Sequence, residues 1–176
     1  MDKPRLMIVE DEAIVVADLA GQLAEMGYEL ACSAASGEEA LIIAAQVRPD
    51  LVLMDICLQG VMDGIDTAQK MREDLSLPVV FLTAHAEANT LLRAKCVEPF
   101  GYILKPFENR ELKIVIEMAL YKHQIESELK HKYVDIARFN QVAVGRELRM
   151  IELKQEINAM RRAAGLEEKY QILDET

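Results

Sequence analysis

Four short apolar runs in this chain are each followed at once by a residue able to do chemistry. Glu10-Asp11-Glu12 follow residues 5–9, Asp55 follows 51–54, Thr83 follows 79–82, and Lys105-Pro106 follow 102–104. Three carboxylates drawn together repel and raise one another's pKa unless a cation holds them. A hard, oxygen-preferring Mg²⁺ does so, keeping waters and an open place for a phosphoryl oxygen. Asp55 can then act as a nucleophile toward phosphorus. Phosphoryl transfer needs little covalent help, because positioning and charge neutralisation carry most of it. Lys105 offers the phosphoryl oxygens a positive charge, and Thr83 a hydroxyl donor. Each residue alone has a plainer reading. Acids ahead of a helix are caps, and a Thr after a strand or a Lys before Pro is solvated surface. All four together, at the ends of apolar runs, favour phosphoryl chemistry.

The apolar runs alternate with helical patterns as far as residue 122. Strands are expected at 5–9, 28–33, 51–54, 79–82 and 102–104. Helices are expected at 13–26, 37–47, 64–75 and 88–97, with a fifth opening near Glu108. This alternation implies right-handed crossovers and an α/β fold, a parallel sheet covered on both faces. Strands buried on both faces should be continuously apolar, and Leu51-Val52-Leu53-Met54 is. Ser36-Gly37-Glu38-Glu39 reads as a helix start with acids in its first turn. In an open parallel sheet, ligands bind beyond the carboxyl ends of the strands, where the strand order switches. The polar residues singled out above converge there.

Residues 1–122 resemble a response-regulator receiver domain over their full length. The motifs that carry the resemblance are Ile8-Val9-Glu10-Asp11-Glu12, Leu53-Met54-Asp55-Ile56, Met62-Asp63-Gly64-Ile65, Phe81-Leu82-Thr83-Ala84 and Gly101-Tyr102-Ile103-Leu104-Lys105-Pro106-Phe107. The resemblance implies a doubly wound five-stranded sheet of order 2-1-3-4-5. It implies Mg²⁺ held by Glu10, Asp11, Asp55 and the backbone carbonyl of Cys57. It implies transfer of a phosphoryl group to Asp55 from the phosphohistidine of a histidine kinase or phosphotransfer protein. It also implies a cis Lys105–Pro106 bond and a switch in which Thr83 moves and Tyr102 turns inward behind it. Glu10 stands where Asp is common, and its longer side chain is expected to reach the metal through water. Gln59 and His85 match places that flank the phosphoryl group and steer or block hydrolytic water. His85 reads equally well as a cap of the fourth helix.

No strand pattern returns after residue 108, and residues 123–176 are read as a helical tail. A heptad runs through Met118, Ile125, Lys132, Phe139, Arg146, Leu153 and Met160. Its second seam is Val115, Lys122, Leu129, Ile136, Ala143, Met150, Ile157 and Ala164. Sustained heptads predict a coiled-coil or docking segment. The expected assembly is a homodimer through the tail, or through the face of helix 4, strand 5 and helix 5. Gly145 marks a place for a break into a hairpin, and Gly165 a helix stop. Residues 144–158 resemble the helical connectors that follow sensory modules in hybrid signalling kinases.

Charge argues against DNA. Residues 1–122 carry 11 Lys and Arg against 20 Asp and Glu, a balance of −9, and residues 123–176 carry 9 against 10, or −1. Neither is the basic footprint that nucleic acid requires. The apolar runs are strand-sized, so no membrane span is expected. The absence of a signal-peptide pattern and the three scattered cysteines fit the cytoplasm. The reading is a signalling switch rather than an enzyme, acting only on its own aspartyl phosphate. A phosphotransfer intermediate or phosphate sink is the alternative. A pure interaction module fits less well, because the set of site residues is complete.

Overall fold

The computed structural model describes residues 3–84, 93, 97–167 and 169–171, without the side chains of 142 and 143. Five parallel strands form one sheet: β1 (Arg5–Val9), β2 (Glu29–Ala34), β3 (Leu51–Asp55), β4 (Val79–Thr83) and β5 (Gly101–Leu104). Their order is β2-β1-β3-β4-β5, as the resemblance implies. Among the described residues, three helices lie between strands: α1 (Ala13–Glu25), α2 (Gly37–Val47) and α3 (Gly64–Leu75). A C-terminal helix spans Asn109–Ala163. The fourth expected helix, 88–97, lies outside the described residues apart from Arg93 and Val97.

Successive strand residues point to opposite faces, so each apolar strand feeds two cores. Met7, Val9, Val52, Met54 and Phe81 join α2 and α3 on one face. Leu6, Ile8, Leu53, Val80, Leu82 and Ile103 join Leu19 and Leu23 of α1 and Leu112, Ile116 and Ala119 of the C-terminal helix on the other. All five residues of β3 and of β4 are buried, as an unbroken apolar run between two helical layers requires. The N-caps follow side-chain chemistry. Ser36 accepts the Glu39 N–H at 3.3 Å to open α2, and Asp63 accepts the Asp66 N–H at 2.9 Å to open α3.

Packing divides the chain into Met1–Glu126 and Ser127–Thr176. The heptad positions Val115 and Lys122 lie in the first unit. Val115 packs against the α1-side core. The Lys122 ammonium lies 4.9 Å from the centre of the Phe100 ring, which also packs on the α1-side core and meets the His123 ring in a T-shaped pair. Val115 is thus covered within the first unit, whereas the Lys122 side chain stays 53% exposed beside the Phe100 ring.

In the second unit the helix passes through Gly145 without a break and ends at Ala163. It closes with a Schellman motif: Leu166 N–H donates to Arg161 O at 2.9 Å, Gly165 N–H donates to Arg162 O at 3.1 Å, and Gly165 has φ +71°. The chain then doubles back. The buried Asn158 amide donates to Tyr170 O at 2.7 Å, and its oxygen accepts the N–H groups of Lys169 at 3.0 Å and Tyr170 at 3.1 Å. The heptad side chains Leu153, Ile157 and Met160 remain exposed.

Candidate functional site

The strand order explains where the polar residues meet. β1 and β3 are neighbours although β2 lies between them in sequence, so the chain leaves them in opposite directions and opens a crevice at their carboxyl ends. Asp55 is the last residue of β3 and Thr83 the last of β4. Glu10 immediately follows β1, and Lys105 immediately follows β5. Lys105 N–H donates to Thr83 O at 2.8 Å, which continues the sheet past the strand end and fixes the backbone of both residues. The Lys105–Pro106 bond is cis.

Carboxylate oxygens of Glu10, Asp11 and Asp55 lie within 4.8 Å of one another. Glu10 is 2% exposed and Asp55 8%. The Lys105 ammonium bridges them, at 2.6 Å from Glu10 Oε2 and 2.7 Å from Asp55 Oδ2. Asp55 Oδ1 accepts the Cys57 N–H at 3.0 Å. Burial pushes the Glu10 carboxyl above its ordinary range, against the hydrogen bond from Lys105, and the neighbouring Asp55 charge adds to the rise. Burial alone would lower the Lys105 ammonium, but its hydrogen bonds to Asp55 and Glu10 outweigh burial and hold it above its usual range. Lys105 therefore stays charged between the two carboxylates.

The donor set fits a hard dication. Three carboxylates against one ammonium leave a formal charge of −2, carried by oxygen ligands on buried and half-buried residues. Thr83 is buried at the same edge. Tyr102 is half-buried against Phe81, with ring centres 5.7 Å apart. Gln59 is exposed on the loop after β3, and the Cys57 side chain is exposed beside Asp55. His85 lies outside the described residues. The structure thus brings together Glu10, Asp11, Asp55, Thr83 and Lys105, with Cys57 and Gln59 on the adjoining loop.

Sequence reasoning did not give Gly64 a part. A Cβ there would lie 1.9 Å from the Asp55 carbonyl oxygen and 2.9 Å from its carbon. The start of α3 therefore packs directly on the backbone of Asp55. The Gly64 N–H also donates to Ile56 O at 3.1 Å. The Met62-Asp63-Gly64-Ile65 motif and a glycine opening a helix are the sequence signals available, and neither reveals the close approach.

Residues 6–117 match the family model of the response regulator receiver domain. The chain is similar to the transcriptional regulatory protein PdtaR of Mycobacterium tuberculosis, 39% identical over 116 residues, which are 66% of this chain and 56% of that protein. It is also similar to the regulatory protein AtoC of Escherichia coli, 38% identical over 128 residues, 72% of this chain and 27% of that one. The chain thus spans about half or less of the length of these curated relatives. Among solved structures, the signal receiver domain of a modulated diguanylate cyclase from Desulfovibrio desulfuricans G20 superposes with a TM-score of 0.68 at 41% identity. That match covers 71% of this chain and 99% of that one.

Proposed function

This chain belongs to the response regulator receiver domain family, and from that premise we propose that it is a signalling switch phosphorylated on Asp55. The observation that carries the reading is the single ammonium of Lys105 bridging the buried carboxylates of Glu10 and Asp55, with Asp11 beside them. Glu10, Asp11, Asp55 and the backbone carbonyl of Cys57 would hold Mg²⁺, which when bound neutralises charge on phosphoryl oxygens. The phosphoryl group comes from the phosphohistidine of a histidine kinase or phosphotransfer protein. An Asp55 oxygen forms the new O–P bond as the N–P bond breaks, and the electron pair of that bond returns to the imidazole. The Cys57 N–H holds Oδ1 and so aims the carboxylate. Lys105 shifts from bridging two carboxylates to pairing with the phosphoryl oxygens, and the Thr83 hydroxyl donates to one of them.

Output follows from the same residues. Thr83 drawn toward the phosphoryl group leaves room behind it, and Tyr102, packed on Phe81, turns inward. Gln59, exposed on the loop after Asp55, sets with His85 the rate at which water removes the phosphoryl group. The chain catalyses nothing beyond its own phosphorylation and hydrolysis. The tail, from about residue 123, pairs with a second copy through the heptad stripe that includes Leu153, Ile157 and Met160. Support for pairing is the exposure of these large side chains, while the doubled-back segment occupies the side of the helix at Asn158.

The experiment is incubation of the full chain with acetyl phosphate, with Mg²⁺ or with EDTA, followed by mapping of the adduct by mass spectrometry. We expect a Mg²⁺-dependent adduct on Asp55. An adduct that persists in Asp55→Asn, or that forms equally well in EDTA, overturns the proposal.

A further inference from the structure

The loop that leaves the site, residues 56–63, carries Cys57 and Gln59 from Asp55 to the start of α3. A loop of this kind keeps its shape only if its backbone groups find fixed partners. Its near end is tied by Ile56 N–H to Leu82 O at 3.2 Å and by Cys57 N–H to Asp55. Its far end is tied from another element. The Met62 N–H donates to Glu38 Oε1 at 3.2 Å, across 24 residues. Gly60, at φ +144°, faces the same carboxylate, and a Cβ there would stand 3.3 Å from Glu38 Oε2.

The start of α2 is built to press on this loop. A Cβ at Gly37 would lie 2.1 Å from Thr67 Oγ1 and 3.3 Å from Met62 O. Thr67 in turn donates its hydroxyl to Asp63 O at 2.8 Å, at the loop's last residue. Two adjacent acids divide the work. Glu39 turns back and accepts the Ala35 N–H at 2.9 Å, so it serves the cap of α2 itself. Glu38 is left to face the loop.

We infer that Glu38 is a positioning residue that holds the loop after Asp55 in the shape that presents the Cys57 carbonyl to Mg²⁺. Glu38 touches neither the metal place nor Asp55, and it acts through the Met62 amide. The inference rests on the receiver reading above. A carboxylate accepting a backbone N–H is a charge-assisted bond, and outer partners of this kind set how well a metal place is preformed.

The test compares the full chain with Glu38→Ala, which removes the acceptor, and Glu38→Gln, which keeps an acceptor oxygen. Hydrogen exchange of the Met62 amide is read in EDTA, and Mg²⁺ affinity is read by calorimetry. In Glu38→Ala we expect faster Met62 exchange and Mg²⁺ binding weakened about tenfold, the lower end of the range for lost outer partners. In Glu38→Gln we expect both to return to within about twofold of the wild type. Met62 exchange unchanged by Glu38→Ala, wild-type Mg²⁺ affinity in that variant, or no rescue by Gln overturns the inference. A wild-type chain that binds no Mg²⁺ and forms no Asp55 adduct overturns the receiver reading instead.

Discussion

Replacing Lys105 with Met keeps most of the side-chain volume and deletes the one ammonium that bridges Glu10 and Asp55. Two carboxylates, 2% and 8% exposed, then face each other without it. Breaking a buried ion pair from one side costs about 3–5 kcal/mol. Two features reduce that figure here. The Lys105 side chain is 20% exposed, so water reaches the gap it leaves. Glu10 can also take up a proton. From its ordinary value of 4.5 that costs at most about 3.4 kcal/mol at pH 7, and less because burial has already raised it. We therefore expect a loss of about 2–3 kcal/mol at pH 7 in EDTA. The sign of the pH dependence follows from the same carboxyl. Without Lys105 its folded-state pKa stands still further above its unfolded value, so the folded state keeps a proton that the unfolded state releases. That contribution is present in full below the unfolded pKa and is lost as pH rises toward the folded one. The deficit should thus be small near about pH 4.5 and grow toward pH 7. Mg²⁺ replaces the missing charge, and a folded-state ligand at a hundredfold excess over its Kd contributes about 2.7 kcal/mol. Urea melts of both full-length proteins at the two pH values, in EDTA and in saturating Mg²⁺, read all of this. A deficit that is equal at both pH values, or that Mg²⁺ leaves untouched, refutes the reasoning.

Three further outcomes are expected. Gly64→Ala forces a Cβ into the Asp55 carbonyl, so it should cost about 2–3 kcal/mol in a urea melt and slow adduct formation by roughly tenfold or more. An unchanged rate of adduct formation would show that Asp55 is not held by that contact. The full chain should sediment as a dimer at tens of micromolar, a pairing free energy of about −6 to −7 kcal/mol. The double substitution Leu153→Asp and Ile157→Asp should make it monomeric, and a wild-type monomer at that concentration ends the pairing reading. Asn158→Ala should release the doubled-back segment at a cost of about 1–2 kcal/mol, seen as faster exchange of the Lys169 and Tyr170 amides. The variant should leave the dimer intact.

Much of the fold was legible because its strands are short apolar runs between helical layers. Such runs bear one periodicity, and the polar residue that ends each must stand at the sheet's carboxyl edge. That is why Asp55 and Thr83 could be placed from the sequence. β2 is displaced by one residue, 29–34 against the expected 28–33. It is an edge strand, paired on one side to β1, with only Ala34 fully buried, so its apolar signal is weak. Chemistry that depends on distance between elements was not legible. Glu10 and Lys105 were placed at one sheet edge, but their direct bond across 95 residues was not foreseen, and the contact of Gly64 with Asp55 depends on how α3 turns away from β3. Glu38 and Glu39 are indistinguishable in sequence, both acids in the first turn of a helix. The structure separates them by what each carboxylate accepts, Ala35 N–H or Met62 N–H.

The tail shows why periodicity alone does not name a partner. A 3.5-residue repeat says that one face of a helix is apolar and leaves open what covers it. Val115 and Lys122 keep the register, yet their neighbours are the receiver core and the Phe100 ring. From Leu129 onward the large apolar side chains of the repeat are exposed, and the doubled-back segment lies on one side of the helix. It binds Asn158 and Arg161, with Tyr170 near Lys154, which stand three and four residues apart on one side of the helix. Leu153, Ile157 and Met160, each one position earlier, repeat with the same spacing on the adjacent side. A segment serving to hide the stripe would lie over Ile157 and Met160. Instead Met160 is 69% exposed, while Asn158, two residues away, is buried. Among the described residues, the closure of the helix end thus leaves Met160 exposed, which is the surface that the proposed pairing requires.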